Sequence, residues 1–348
     1  MVGGLETHIG EVGPRLAADG FDVTLLTTDP TGDLSATEQR DGVEVIRVRS
    51  WLADEGIYAA PGLYQAIVND DWDLVHVQGY HTLAPPLAML AAARSGLPFV
   101  VTVHSGGYDL PAGEQIRWAQ HLVLRPLLLK ARKLIAVSDW ERREISRTLR
   151  LRNSRFVTIP NGAAIAAPSA DVAENPCLIV SVGRLHRYKG HQYAIAAMPY
   201  LLEAMPGIRL RVVGSGPYEP ELRRQAADLG VDHSVDIGGV VGDRAAMSTV
   251  LKQAALVVLL SEYESQGIAA MEALSLQRRL LVANTTALGD LAAKGWAGGI
   301  SPHASPDKIA AAMLQQLTAD LSPALDLPSW DDCADQLGQL YRSVLAAA

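Results

Sequence analysis

Residues 177–190 have the sequence CLIVSVGRLHRYKG, in which an apolar run ends in a charged loop. Nearly continuous apolar runs are typical of strands that are covered on both faces, as in parallel sheets. Open α/β sheets bind their ligands beyond the carboxyl ends of the strands, where this segment places Gly183, Arg184 and Lys189. Arginine and lysine at that position suit a phosphate group. The alternative is that both cations are ordinary solvated surface charge.

Short apolar runs alternate with longer segments of helical period on both sides of this segment. Strands are predicted at Val23–Thr28, Val43–Ser50, Leu74–Gln78, Phe99–His104, Lys133–Ser138, Phe156–Pro160, Cys177–Val182, Leu210–Val213, Val235–Ile237, Leu256–Leu260 and Leu280–Ala283. This order predicts the α/β class, with βα units wound around two parallel sheets.

The chain is long enough, at 348 residues, for two domains that each bury a core. The segment Ala163–Pro176 is rich in Ala, Pro and Ser and lacks periodicity, so it predicts an exposed linker. We therefore expect an N-terminal domain at residues 1–165 and a second domain at 166–328. Residues 329–348 contain a helix candidate, Trp330–Leu345, which is expected to cross back to the first domain.

The charge balance and the cysteines exclude several classes of protein. Thirty Lys and Arg against 38 Asp and Glu give a net charge of −8, which argues against nucleic-acid binding by whole-molecule attraction. Cys177 and Cys333 are too few for a disulfide framework and predict free thiols in a reducing compartment. The sequence contains neither a signal-peptide pattern nor an apolar run of membrane-spanning length, so a cytoplasmic location is expected.

Residues 261–273, SEYESQGIAAMEA, follow another predicted strand. Glu264 and Glu272 are eight residues apart and would lie about 80° apart on one helix, so we expect one in the loop and one in the helix. A helix that starts near residues 265–266 would offer its first amides to an anion. These amides belong to Gln266, Gly267 and Ile268. The alternative is that both glutamates are surface residues.

Weaker signals come from a glycine turn and from histidines. Gly214 and Gly216 allow close approach of the backbone to a ligand, although a plain turn explains a lone Gly-x-Gly better. His104 ends a predicted strand and is a candidate polar or catalytic group, with a structural histidine as the alternative. His76 and His81 are predicted to be scaffold or to line a cleft. The nine histidines show no zinc-binding motif, so no metal site is expected.

These motifs together resemble the family-4 glycosyltransferases, retaining enzymes of the GT-B fold that use nucleotide sugars. The resemblance spans essentially the whole chain. It is carried by the sequence GGLETH at residues 3–8, Asn161-Gly162, Gly183-Arg184, Lys189-Gly190, Gly214-Ser-Gly216, Glu264 and Glu272. It implies two doubly wound Rossmann-like domains facing a cleft, with the donor on the C-terminal domain, and closure of the domains about the linker that would exclude water.

The resemblance also implies a role for each matching residue. Arg184 and Lys189 would neutralise the donor diphosphate, where negative charge grows as the sugar bond breaks. Glu264 would hold sugar hydroxyls, Glu272 would hold the ribose, and His104 would sit over the reacting sugar. Further donor or nucleotide contacts are implied for Gly3, Gly4, Gly183, Gly214, Gly216, Val240, Val241, Gln266, Gly267 and Ile268. Neither a metal nor another cofactor is implied.

Three features depart from the family's pattern. Gln266 stands where the family usually has Phe, which affects the donor pocket. Gln277-Arg-Arg279 stands where Gly-x-Pro is usual, which affects a turn. The chain opens on Gly3-Gly4 and a helical pattern without the strand that precedes this loop in the family. A missing first strand, and with it an incomplete gene model, is therefore expected.

We expect the chain to move a hexose from a UDP- or GDP-sugar to a hydroxyl acceptor, which is a glycan, a lipid-linked molecule or a small molecule, with retention of configuration. The alternatives are a nucleotide-sugar epimerase and a silent homologue that binds nucleotide sugar. Acceptor-binding loops are expected at residues 51–63 and 108–116.

Between Arg117 and Arg155 there are eleven Lys or Arg and three acidic residues. This segment predicts a solvated helical face or, alternatively, a patch for an anionic membrane or a lipid-linked acceptor.

Overall fold

The computed structural model describes residues 3–54, 57–80, 82–105, 123–167, 172–239, 244–321 and 324–347. From residue 4 onward, these residues form two compact units. The N-terminal unit contains the described residues of 4–161 and of 330–347, and the C-terminal unit contains those of 162–329. The two units are described separately below.

Short strands form three sheets in the N-terminal unit. They are β1 (Thr24–Asp29), β2 (Thr37–Arg40), β3 (Val43–Arg49), β4 (Trp51–Asp54), β5 (Ile57–Ala59), β6 (Val75–Gln78), β7 (Phe99–Thr102), β8 (Lys133–Ala136) and β9 (Phe156–Thr158). One sheet is parallel, with the order β6-β7-β8-β9. The second has the order β1-β3-β2, and β4 pairs with β5 in the third. All four residues of β7 are buried, as expected for a strand covered on both faces.

Four helices of this unit are α1 (Gly4–Ala18), α2 (Pro61–Val68), α3 (Ala84–Ser95) and α4 (Asp139–Thr148). The sequence explains several of their ends. Helix α3 ends at Gly96, whose φ of 72° lies in the left-handed region that glycine adopts without strain. Helix α4 begins after Ser138, whose side chain accepts the N–H of Glu141 at 3.0 Å. Buried Val12 and Leu16 form the apolar face of α1.

The C-terminal unit is built on one six-stranded parallel sheet. Its strands are β10 (Asn175–Val182), β11 (Arg209–Val213), β12 (Val235–Ile237), β13 (Ala254–Leu259), β14 (Arg279–Ala283) and β15 (Gly298–Ile300). Neighbouring residues of β13 belong to different core clusters, with Leu256 and Val258 in one and Val257 and Leu259 in the other. The sheet is therefore covered on both faces, as the apolar runs predict.

The strand order of this sheet is β12-β11-β10-β13-β14-β15. The chain starts in the middle at β10, winds outward to β12, and then returns to place β13 on the other side of β10. Strand order thus reverses between β10 and β13. This is the switch point at which doubly wound sheets bind their ligands.

The helices of the C-terminal unit are α5 (His191–Ala204), α6 (Glu219–Asp228), α7 (Arg244–Gln253), α8 (Ile268–Ser275), α9 (Thr286–Ala293) and α10 (Pro306–Thr318). The last helix, α11 (Trp330–Ala346), lies in the N-terminal unit and confirms the predicted helix Trp330–Leu345. Tyr341 of α11 contacts Phe21 edge-on, with 5.8 Å between ring centroids, and forms a hydrogen bond with His76. No helix within the described ranges is long and apolar enough to cross a membrane.

Several boundaries predicted from the sequence are wrong. Strand β7 ends at Thr102 and not at His104, because the φ of His104 is 42°, in a left-handed region that extended backbone does not enter. The linker predicted as exposed from Ala163 onward begins buried. Ala163 is only 1% exposed, packs into the core of the C-terminal unit and donates its N–H to the Pro328 carbonyl at 2.8 Å. The predicted linker also ends too late, since β10 already begins at Asn175.

Candidate active site

The loops that follow β10 and β13 carry most of the residues predicted for the donor. Because β10 and β13 are adjacent and parallel, both loops leave the same edge of the sheet at the switch point. The first loop runs from Gly183 to Gly190 and the second from Leu260 to Gly267. The two loops are joined directly, since the N–H of Glu262 donates to the Tyr188 carbonyl at 2.8 Å.

Four side chains of these loops come together. Lys189 Nζ lies 2.6 Å from Glu264 Oε1, and the two side chains are 14% and 18% exposed. Arg184 Nη2 donates to the Tyr188 hydroxyl at 2.8 Å, and Lys189 Nζ lies 5.3 Å from the centroid of the Tyr188 ring, so Tyr188 connects Arg184 with the ion pair. The structure therefore brings together three of the four residues predicted as catalytic. The cation expected to bind phosphate and the carboxylate expected to bind sugar share one ion pair.

Glu264 is also held by neutral groups. The Ser261 hydroxyl donates to Glu264 Oε1 at 3.0 Å, and the Glu264 N–H donates to Thr286 Oγ1 at 3.0 Å. Hydrogen bonds of this kind fix the orientation of a carboxylate before a ligand arrives. Sequence analysis missed Ser261 and Thr286 because serine and threonine in loops are too common to single out.

The Gly214–Gly216 turn supports the loop after β10. The N–H of Leu185 donates to the Ser215 carbonyl at 2.9 Å. A Cβ atom on Gly216 would lie only 2.4 Å from the Leu185 carbonyl oxygen. The close approach that requires Gly216 is thus to the protein's own backbone, as the plain-turn alternative holds. Gly214 is buried at the start of the same turn.

A buried histidine that the sequence did not single out supports the same loop. His191 begins α5 and is 1% exposed, with Nδ1 2.8 Å from the Ser181 hydroxyl and Nε2 3.3 Å from the Arg184 carbonyl. Since a carbonyl only accepts, Nε2 carries the hydrogen and Nδ1 accepts from Ser181. Burial lowers the pKa of His191 to about 4, so the ring is neutral at pH 7. A Cβ atom on Gly183 would meet this ring at 3.5 Å.

When the pH is lowered below about 6.5, the free energy of unfolding of the C-terminal unit is expected to decrease because of His191. The folded pKa is about 4, whereas the unfolded chain has the ordinary value of 6.5 and takes up a proton first as the pH falls. The stabilisation is complete above pH 6.5 and is lost on acidification, with about 2 kcal/mol lost by about pH 5. Scanning calorimetry at about pH 7.5 and pH 5 measures this decrease.

His191→Gln should lose less stability between these two pH values than the wild type does. His233→Gln is the control, because His233 is an exposed histidine of the same unit. If His191→Gln and the wild type lose the same free energy of unfolding between the two pH values, the loss does not come from His191.

Only one of the three amides predicted to form an anion site lies in the first turn of the helix. Helix α8 begins at Ile268 and not near residues 265–266, because Gly267 has a φ of 82° and cannot belong to the helix. The carbonyl of Gly267 is the first helical acceptor and binds the N–H groups of Ala270 and Met271. Of the predicted amides, only that of Ile268 lies in the first turn, while Gln266, which is buried, and Gly267 precede it.

Glu272 lies on α8 and Glu264 lies in the loop, as predicted. The Glu272 side chain is 8% exposed, and Arg244 Nη2 lies 3.0 Å from its Oε1 atom. Sequence analysis missed Arg244, because no motif connects it with a glutamate 28 positions later. Val240 and Val241, predicted to contact the base, lie outside the described residues, as do His81 and residues 108–116.

His104 lies in the N-terminal unit, and its Nε2 atom donates to Gln78 Oε1 at 2.8 Å. The ring of His8 contacts that of His104 edge-on, with 4.9 Å between centroids. His8 is itself hydrogen-bonded to Asn161 Oδ1 at 2.7 Å, and burial lowers its pKa to about 4. His8 belongs to α1, which begins at Gly4, directly after Gly3. His76 is bonded to Thr102 at 2.6 Å and to Tyr341, in agreement with its predicted scaffold role.

Within the described ranges, no group of three or more His, Cys, Asp or Glu side chains is placed to hold a metal ion. The residues described above supply three cations (Arg184, Lys189 and Arg244), two carboxylates (Glu264 and Glu272) and the first turn of α8. Such a set can bind a diphosphate through the cations and hydroxyl groups through the carboxylates.

The sequence matches two families of glycosyltransferases in succession. Residues 2–166 match the family described as Glycosyltransferase Family 4, and residues 166–324 match the family described as Glycosyl transferases group 1. A similar curated protein is the glycogen synthase of Mycobacterium tuberculosis (strain CDC 1551 / Oshkosh). It is 28% identical over 331 residues, which cover 86% of this chain and 78% of the relative.

Solved structures share the fold at low sequence identity. Sucrose-phosphate synthase from Thermosynechococcus elongatus has a TM-score of 0.76 and 21% identity. The alignment covers 99% of this chain and 94% of the synthase chain. HepE from Anabaena, solved in complex with UDP and glucose, has a TM-score of 0.73 and 16% identity. The alignment covers 99% of this chain and 97% of the HepE chain. These similarities confirm the GT-B fold predicted from the sequence.

Proposed function

We propose that this chain, which belongs to the family-4 glycosyltransferases of the GT-B fold, moves a hexose from a nucleoside diphosphate sugar to a hydroxyl acceptor with retention of configuration. The observation that supports it best is the meeting of Arg184, Lys189 and Glu264 at the switch point of the C-terminal sheet. Cations and a sugar-binding carboxylate stand there side by side, as a nucleotide sugar requires.

In this proposal the two cations stabilise the departing nucleoside diphosphate. Negative charge on the leaving phosphate increases as the sugar bond breaks, so Arg184 and Lys189 stabilise the transition state more than the ground state. Glu264, oriented by Ser261, accepts hydrogen bonds from hydroxyl groups of the sugar. The first turn of α8, with the amide of Ile268, adds a positive dipole end for phosphate.

The remaining donor contacts follow the resemblance. Glu272 holds the ribose, and Arg244 pairs with its carboxylate and directs it. Backbone near Val240 and Val241 contacts the base. The resemblance assigns His104 to the reacting sugar and the start of α1, at Gly4, to the diphosphate. The departing phosphate takes the proton of the acceptor, so no side-chain nucleophile is required, and the resemblance implies no metal.

UDP is the first donor nucleotide to test. Its support is the similarity to HepE, which was solved with UDP and glucose. A GDP-sugar is the alternative. The decisive experiment incubates the protein with UDP-glucose, GDP-mannose or ADP-glucose and a mixture of sugar acceptors, and measures nucleotide release and the anomeric configuration of the product by NMR.

Each outcome selects one function. Nucleotide release with a new α-glycosidic product from an α-linked donor supports a retaining transferase. A β-linked product would overturn retention. An interconverted sugar formed without an acceptor would identify an epimerase, and nucleotide binding without turnover would identify a silent homologue.

We also propose that the N-terminal unit binds anionic membranes. Support comes from the basic run that includes the exposed residues Lys130, Arg132 and Arg152. Phosphatidylglycerol vesicles are expected to sediment the protein at low salt and to release it at high salt, because such attraction is screened. Phosphatidylcholine vesicles are the control. If neither vesicle sediments the protein at low salt, the run is a solvated helical face.

A further inference from the structure

A fully buried carboxylate lies next to the loop that carries His104. Glu141, in the first turn of α4, is 0% exposed. Its Oε1 atom accepts the backbone N–H of Ser105 at 2.7 Å and also the Ser105 hydroxyl hydrogen, and its Oε2 atom accepts the N–H of Val137 at 2.8 Å. These bonds replace the lost hydration of the carboxylate. Since Ser105 follows β7 and Val137 follows β8, Glu141 ties the ends of two adjacent strands together.

The start of α4 does not by itself explain this carboxylate. Ser138 already caps the helix, and Glu141 stands three residues later, where the acidic residue of a capping box stands. In a capping box that residue reaches back to the backbone of the cap. The carboxylate of Glu141 instead bonds Val137, before the cap, and Ser105, in a different loop.

The loop that Glu141 holds contains an unfavourable backbone conformation. His104 has a φ of 42°, in the left-handed region that is strained for a residue other than glycine. Contacts on both sides keep it in place. Before it, the N–H of Val103 donates to the Ile135 carbonyl at 2.9 Å, and after it Ser105 is held by Glu141.

The same turn sets the direction of the His104 ring. With the backbone held, the ring Nε2 atom donates to Gln78 Oε1 at 2.8 Å, at the end of β6. Release of Ser105 would let the φ of His104 relax toward the favoured negative region and would turn the ring away from Gln78.

We propose that Glu141 is a positioning residue, which holds Ser105 and thereby keeps His104 directed at the reacting sugar. This inference rests on the proposed function for the role of His104. Glu141 is fully buried and does not itself touch the substrate. Its effect on the reaction passes entirely through His104.

The local part of the proposal is tested without any activity. In protein labelled with ¹³C and ¹⁵N in histidine, the ring signals of His104 are assigned with His104→Ala. Glu141→Gln keeps the size of the side chain but replaces one acceptor oxygen with a donor, so the His104 signals should shift. The control is Glu144→Gln, in the same helix, since Glu144 bonds only the nearby Arg147 and Thr148 in the described contacts and should leave these signals unchanged.

The catalytic part is tested by a double-mutant cycle on UDP release from UDP-glucose. Glu141→Gln should lower kcat about 10- to 100-fold with less than a twofold change in the KM for the donor, because a misplaced group slows the reaction without weakening binding. In a His104→Ala background the same change should cause no further loss. Ser105→Ala, which removes only the hydroxyl bond, should give a smaller loss of the same kind and serves if Glu141→Gln does not fold.

The outcomes separate this inference from the proposed function. Unchanged His104 signals in Glu141→Gln, or a full loss of kcat repeated in the His104→Ala background, overturn the positioning role. If His104→Ala alone leaves kcat unchanged, or if the wild type releases no nucleotide, the proposed role of His104 fails. The ring signals then still decide whether Glu141 positions His104.

Discussion

Lys189→Met is expected to lower kcat/KM for the donor about 100- to 1000-fold, the size of effect seen when one group that stabilises developing negative charge is removed. The side chain of Lys189 is 14% exposed, so water would screen its charge little from a phosphate bound at the proposed site. Methionine keeps the length and removes the charge. Steady-state kinetics of nucleotide release measure the change.

The ion pair predicts how this loss divides between binding and turnover. Without Lys189, Glu264 keeps its hydrogen bond from Ser261 but loses its cation, and repels the donor phosphate. Both KM and kcat should therefore worsen. Lys308→Met is the control, since Lys308 is an exposed lysine of the same unit, and it should stay within twofold of the wild type. A Lys189→Met enzyme as active as this control would remove Lys189 from the site.

Gly190→Ala is expected to destabilise the C-terminal unit by about 3 kcal/mol or more, from backbone strain and overpacking together. Gly190 has a φ of 76°, and a Cβ atom there would lie 2.0 Å from the carbonyl oxygen of Leu260. That oxygen is backbone at the end of β13, so it cannot move aside without breaking the contact between the two loops of the site. Thermal unfolding measures the loss.

A matched glycine separates strain from crowding. Gly230, in the same unit, has a φ of 67°, but a Cβ atom there meets nothing within 4 Å. Gly230→Ala should therefore cost only the left-handed strain of about 1–2 kcal/mol. If both variants lose the same stability, the close approach of Gly190 to Leu260 is not what requires glycine.

The apolar runs located the strands of the C-terminal sheet well. The predicted strand Val235–Ile237 matches β12, and the predicted strand Leu280–Ala283 begins one residue after β14 does. A buried strand in a parallel sheet is apolar along its whole length, so the sequence marks it without help from distant contacts. Strands β2 and β15 were not predicted, because the first is exposed at every position and the second consists of two glycines and one isoleucine, so neither forms an apolar run.

Departures from expectation arise where single backbone angles decide the structure. The turn at His104 and the late start of α8 at Gly267 both depend on a positive φ, which apolar patterning does not report. Gln277, where the family usually has glycine, lies directly after α8 and has a φ of 55°, in the left-handed region that glycine adopts without strain. Its backbone is held by a hydrogen bond from its N–H to the Leu274 carbonyl.

Residues that support the site were harder to find than those expected to touch the donor. His191 and Arg244 act through contacts with Arg184 and Glu272, and each contact is made across loops or helices. Glu141 contacts a serine 36 positions earlier in the chain. Its sequence signal is the Ser138-x-x-Glu141 pattern, which predicts a helix start and does not reveal that the carboxylate reaches into another loop.

The central claim is that Arg184 and its neighbours form a nucleoside diphosphate site, and a thermal-shift series with UDP, GDP and ADP tests it most directly. A nucleotide at 100 times its dissociation constant adds about 2.7 kcal/mol, or several degrees in a protein of this size. We predict that one nucleotide raises the melting temperature of the wild type and of Arg187→Ala, which removes an exposed arginine of the same loop. The shift should be lost in Arg184→Ala. A shift that persists in Arg184→Ala, or the absence of a shift with all three nucleotides, would contradict the claim.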